Sequence, residues 1–155
     1  MKLKVHAITQ SFNGFSPIIV SDVTASNETN PTKIKTLKTK ALWDTGATNT
    51  CITKNAAKKL GLKPISKTKV KGVHTECIVN VYAITLTLNN ENVRINARVT
   101  ELQSISADSS INILIGMDVI LLGDFCITNF QKKTVMTFRV PSIKCIDFCK
   151  DLKKK

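Results

Sequence analysis

Asp44 is the residue of this chain best suited to do chemistry. It follows the apolar run Ala41-Leu42-Trp43 and opens the turn Asp44-Thr45-Gly46-Ala47, which occurs once in the 155 residues. An apolar strand that runs into such a turn presents a carboxylate at a fixed place, where it can take a proton from a bound water. The plainer alternative is an aspartate that caps a turn at a strand end. Two other hydrolytic constellations are missing from the sequence, a Gly-x-Ser-x-Gly elbow and a His-Glu-x-x-His helix. No metal site is expected: Cys145 and Cys149 do not have zinc spacing, and only His6 and His74 could assist them.

The elements that must position Asp44 are mostly strands. Leu3, Val5 and Ala7 alternate with Lys2, Lys4 and His6, which predicts a half-buried strand with the first set inward. Asn13-Gly14 and Pro17 punctuate, Ile18 to Val23 reads as a second strand, and Ser26 to Pro31 as a polar loop. Ile34 to Trp43 leads into the Asp44 turn. Thr53 is placed to cap a short helix over Lys54 to Leu60 that stops at Gly61. Thr68 to Lys71 and Glu76 to Leu88 form the arms of a long hairpin, with Gly72-Val73-His74-Thr75 as its tip.

Asn89-Asn90 turns the chain into a strand over Val93 to Val99, and Ser104 to Asn112 is a polar loop. Ile113-Leu114-Ile115 is a short apolar strand ending at Gly116, with a short helix from Met117 to Leu122 stopped by Gly123. Phe125 to Asn129 and Thr134 to Val140 close a hairpin around Gln131-Lys132-Lys133, and the Lys-rich end is a tail. No internal repeat is visible.

The length fits one domain with its own core, and a hydrophobic fraction of 43% is that of an ordinary globular protein. The net charge of +12 would draw nucleic acid, anionic surfaces or acidic substrates. The lysines, however, lack the interleaved aromatics of a nucleic-acid groove, and a solvated basic surface is the simpler account. The five cysteines are an odd number with no signal-like apolar run before them, so reduced thiols in the cytoplasm are expected. No run reaches the roughly 20 apolar residues of a membrane helix; Ile111 to Leu122 is interrupted by Gly116 and Asp118.

Ala41 to Ala47 followed far downstream by Ile113-Leu114-Ile115-Gly116 resembles the retropepsin family of aspartic proteases, including cellular and bacterial retroviral-protease-like domains. The likeness covers Thr32 to Val140. It implies a mostly β, closed-barrel-like acid protease fold with one lobe per chain, one or two short helices and a flap hairpin. Residues 1–31 would be N-terminal strands or an extension, 32–140 the protease domain, and 141–155 a basic tail. A two-lobed enzyme of the pepsin kind needs about twice this length, so the resemblance implies a homodimer acting on polypeptide, without a cofactor.

In that family Asp44 would pair with the Asp44 of a second chain, sharing one proton and holding one water. Thr45 would bond across the two-fold axis, Gly46 would let backbone approach the carboxylate, and small Ala47 would leave the cleft open. The tip Gly72-Val73-His74-Thr75 would fold over substrate and bond its backbone by strand addition. His74 could make closure sensitive to pH, though an exposed bystander histidine is the simpler reading. Met117 departs from the basic residue that viral relatives carry after the glycine, so the dimer contacts must differ, and Asp118 reads as a helix-start residue. Trp43 is expected in the core under the turn, and Cys51 as a small buried hydrophobe. Two rivals stand beside this reading: a catalytically silent module of the same fold, and a basic nucleic-acid-associated β domain.

Overall fold

The computed structural model describes residues 5–28, 33–71, 76–88 and 92–152. Among these residues ten strands, three short α-helices and one 3-10 turn run in the order β1 (His6–Ser11), β2 (Ile19–Ser26), β3 (Thr36–Trp43), β4 (Cys51–Thr53), α1 (Lys54–Leu60), β5 (Ser66–Lys71), β6 (Glu76–Leu88), β7 (Arg94–Leu102), β8 (Ile111–Ile115), α2 (Met117–Ile120), β9 (Asp124–Thr128), the 3-10 turn (Phe130–Lys132), β10 (Val135–Val140) and α3 (Phe148–Leu152). The large sheet has the order β2-β3-β8-β4-β7-β6-β5, and β2 also pairs with β6. Six strands therefore close on themselves as a barrel, with β5 hanging from it. This is the mostly β, closed-barrel architecture that the sequence led us to expect.

Closure depends on the length of β6. Its first part pairs antiparallel with β5, from Ser66↔Val81 to Lys71↔Glu76, and its last part pairs with β2, from Val23↔Leu88 to Ser26↔Thr85. The inward set along these strands is β-branched or aliphatic: Val23, Ala25, Ile84, Leu86, Ile95, Val99 and Ile113 are buried together. A second sheet, β1-β10-β9, covers one end of the core. Its Phe138 and Met136 are fully buried.

The orientation of β1 corrects the expectation that Leu3, Val5 and Ala7 point inward. Ile8 is the buried residue, opposite Phe138 in register, whereas Ala7 is exposed and Val5 largely so. Burying an isoleucine removes far more apolar area from water than burying an alanine, so Ile8 sets the face. Leu3 lies outside the described residues.

Local signals produce α1 as expected. The Thr53 hydroxyl accepts from the Ala56 N–H at 3.3 Å, and Gly61 ends the helix at φ 65°, where a β-carbon is unfavourable. The expected Met117–Leu122 helix is shorter: α2 is a single turn, and Gly123 follows because a side chain there would sit 1.9 Å from the Arg139 carbonyl oxygen. The tail carries an element that the sequence reading did not anticipate, the short helix α3, started by Asp147 Oδ1 accepting from the Cys149 N–H at 3.0 Å. All five cysteines are free. Among the described residues no helix is long and apolar enough to cross a membrane.

Candidate active site

Two strand ends meet at Asp44. β3 and β8 run parallel, with Trp43 opposite Ile115, so the Asp44 turn and the Gly116–Asp118 turn leave the barrel side by side. Backbone bonds lock them: the Asp44 N–H donates to the Ile115 carbonyl at 3.0 Å, Met117 N–H to Ala47 at 2.8 Å, and Asp118 N–H to Thr48 at 3.2 Å. Gly116 is required here because a β-carbon would meet the Asn49 backbone at 2.6 Å.

Side chains complete the lock. Fully buried Thr50 accepts from the Gly116 N–H at 3.1 Å and donates its hydroxyl proton to Asp118 Oδ1 at 2.6 Å. The same carboxylate oxygen accepts from the Val119 N–H at 2.9 Å. Asp118 thus begins the helix, as expected, but its larger role is to tie α2 to the loop that follows Asp44. Sequence reasoning passed over Thr50, since nothing local marks a threonine whose partner lies in a distant turn.

Asp44 itself is only partly enclosed. Its Oδ1 accepts the Gly46 N–H at 2.8 Å, and the same atom would lie 3.1 Å from a β-carbon at Gly46. Among the described residues its Oδ2 has no protein hydrogen bond. Thr45 and Gly46 are exposed, and Ala47 is half-buried. Beneath the turn Trp43 is 5% exposed, stacks on Phe125 at 5.4 Å between ring centres, and donates from Nε1 to Ser21 Oγ at 2.9 Å. Trp43 is therefore core, and its edge also lines a hollow beside Asp44 that includes Ile18, Phe125 and Ile127.

On the other side, a cleft runs from Ala47, Thr48 and Asn49 towards Thr68, Lys69 and Val70 of β5. Cys51 lines it, half-buried rather than fully buried; desolvation, then the nearby Asp118 charge, pushes its thiol up to about 11. The expected hairpin arms are present as β5 and β6, but its tip, Gly72, Val73, His74 and Thr75, lies outside the described residues. The structure brings Asp44, Thr45, Gly46 and Ala47 together in one turn between the two hollows: Ala47 lines this cleft, and Asp44 and Thr45 line the hollow on the Trp43 side. Among the described residues no group of His, Cys, Asp or Glu is arranged to hold a metal ion.

The comparisons agree with this architecture. No curated protein matches the chain. A retropepsin-like aspartic protease from Rickettsia conorii superposes with a TM-score of 0.56 at 14% identity, over 90% of this chain and 98% of that one, which shows a shared fold. Simian foamy virus (mac) protease aligns at 24% identity with a TM-score of 0.43, over 64% of this chain and 89% of that one. The protease of EIAV, solved with the inhibitor HBY-793, aligns at 19% identity with a TM-score of 0.45, over 70% and 89%. The sequence profile of the family described as aspartyl protease matches residues 31–119, more than half of the chain and the stretch that holds both interlocked turns. By that match the chain belongs to the aspartyl protease family, and its fold is that of the retropepsin-like member from Rickettsia conorii.

Proposed function

We propose that this protein is an aspartic endopeptidase that works as a homodimer, with Asp44 of each chain supplying half of the catalytic pair. The observation that carries the proposal is the state of Asp44. Its Oδ1 is oriented by the Gly46 N–H, its Oδ2 is unengaged by protein groups among the described residues, and the turn around it is exposed between two hollows. A second chain placed about a two-fold axis would set a matching carboxylate beside it.

Two carboxylates in contact cannot both be ionised, so the pair holds one proton. The ionised member takes a proton from a water held between them as its oxygen attacks the scissile carbonyl carbon. The protonated member donates a hydrogen bond to the carbonyl oxygen as negative charge develops there. The tetrahedral adduct then collapses as the amide nitrogen accepts a proton and the C–N bond breaks. Thr45, exposed and without a hydrogen-bond partner among the described residues, is assigned to the cross-axis bond that holds the two turns together. Gly46 and Ala47 leave room for the peptide, and the tip 72–75 is assigned to cover it. Residues 32–140 are proposed as the protease unit, with strands from residues 1–31 completing its sheets and 141–155 as a basic tail.

The test compares wild type with Asp44→Asn on an unstructured protein across a range of about pH 4 to 7. Wild type should cut and the variant should not. Equal behaviour across a broad peptide library would sink the proposal.

A further inference from the structure

The chain after Val140 is fastened to the barrel by Asp124, which accepts from Ser142 Oγ and, at 3.1 Å, from the Ile143 N–H. Beyond Ile143 the bonds found among the described residues stay within the segment. Asp147 Oδ1 accepts the Cys149 N–H at 3.0 Å and the Lys150 N–H at 3.3 Å, and Lys150 Nζ lies 3.7 Å from Asp147 Oδ2. Four large apolar side chains of this segment nevertheless face water. Ile143 and Ile146 are about half exposed, Phe148 is 65% exposed and Leu152 74%. Phe148 and Leu152 stand four residues apart on α3 and share a face, with Lys150 on the other side. Residues 144–155 also carry five lysines against two aspartates, and one of those aspartates, Asp147, is engaged by α3 itself.

We propose that the segment from Ile143 onward docks on an anionic membrane surface, with Ile143, Ile146, Phe148 and Leu152 entering the headgroup boundary and the lysines meeting acidic headgroups. The segment lies on the bilayer and does not span it. The inference goes beyond the protease reading and does not depend on it. Charge and apolar surface together select this partner. A second copy of the chain, carrying the same net charge of +12, would be repelled. A nucleic acid would satisfy the lysines but leave Ile143, Ile146 and Leu152 in water, and the one aromatic side chain of the segment, Phe148, is a poor platform for stacking bases. An anionic bilayer accepts both halves at once: the apolar side chains leave water, and each lysine near the surface adds attraction. A segment this short binds reversibly, and salt weakens it.

The test sediments the full-length chain with vesicles of phosphatidylcholine, either alone or with about 30% phosphatidylserine. Wild type should bind the anionic vesicles at least about tenfold more tightly than the neutral ones, and added salt should narrow the gap. Phe148→Ser combined with Leu152→Ser should weaken binding to anionic vesicles about tenfold at unchanged charge. Replacing Lys153, Lys154 and Lys155 together by Gln should weaken it at least as much. All five positions lie outside the core, so the melting temperature of both variants should match wild type. Failure of wild type to bind either vesicle would refute the proposal, and equal binding to both would overturn the selection by charge. Undiminished binding of the Phe148/Leu152 variant would show adsorption by charge alone and overturn insertion. Undiminished binding of the lysine variant would put the contact elsewhere on the basic surface and overturn the assignment to this segment. A single-stranded oligonucleotide bound more tightly than the anionic vesicles, and released by the same lysine changes, would make nucleic acid the partner and refute membrane docking.

Discussion

Asp118 and Asp44 flank one loop, the first with an oxygen that accepts from two donors, Thr50 and Val119, and the second with an oxygen that accepts from one, Gly46. Asp118 Oδ1 holds the Thr50 hydroxyl and the Val119 N–H, and through Thr50 it reaches the Gly116 backbone. Asp44 gives one oxygen to Gly46, and its side chain borders the hollow beside Trp43. The difference separates two uses of a carboxylate: one gripped by two donors, a distant hydroxyl and a neighbouring backbone N–H, ties the loop together, and one held by a single N–H of its own turn is left for reaction. Rigidity in the first is what gives position to the second.

That contrast can be broken by mutation. Asp44→Asn should lower peptide hydrolysis roughly a thousandfold while shifting the melting temperature little, because the Gly46 N–H keeps an oxygen to bond. A comparable loss of stability and activity would mean that Asp44 is structural. Asp118→Ala should do the reverse. It strands the hydroxyl proton of buried Thr50, while the Val119 N–H keeps the Gly116 carbonyl, at a cost of about 1–3 kcal/mol in chemical denaturation. It should lower kcat through loop disorder, and Asp118→Asn, which keeps an acceptor oxygen, should recover most of both. Gly116→Ala tests the same lock through the backbone. With the Asn49 carbonyl carbon only 2.6 Å from the new β-carbon, about 1–3 kcal/mol of overpacking is expected.

A smaller effect sharpens the comparison at a third carboxylate. Asp124 accepts from Ser142 Oγ at 2.5 Å, from the Ile143 N–H at 3.1 Å and from Arg139 Nε at 2.7 Å, fastening the chain after Val140 to β9. The Ser142 hydroxyl first, then the Ile143 N–H, holds its carboxyl near 2, below the ordinary 3.8. A depressed folded value contributes stability above the unfolded value and loses it as pH falls through the folded one. The melting temperatures of wild type and Asp124→Asn should therefore differ at neutral pH and converge as pH drops from about 4 to about 2. A constant gap would show that the carboxylate charge is irrelevant there. Cys51 gives the mildest test: with its thiol pushed up to about 11, it should alkylate more slowly at pH ~8 than exposed Cys77, Cys145 and Cys149, as peptide mass spectrometry would show. Faster labelling of Cys51 would mean that the cleft is more open than described.

What could be read from the sequence was what neighbours in sequence decide. Thr53 and Gly61 bracket α1 because a cap and a left-handed stop act within one turn, and the arms around residues 72–75 pair because a hairpin joins adjacent segments. The Asp44 turn was legible for the same reason, as an apolar strand feeding a short polar turn. The Thr50–Asp118 bond, the β2–β6 closure and the Asp124 anchor join residues far apart in the chain. Their register is set by the whole barrel, and no local pattern encodes it. The face of β1 was misread because apolar residues occur in both phases of its alternation. Only the partner strand, through Phe138, decides for Ile8.

The central claim is that one chain holds half a site. Wild type and Asp44→Asn chains can be mixed in varying ratio at constant total concentration, unfolded and refolded together, and assayed on one peptide. If both Asp44 carboxylates are needed, activity should follow the square of the wild-type fraction, about one quarter at an equal mixture. A straight line through one half would show that each chain works alone, and would contradict the account.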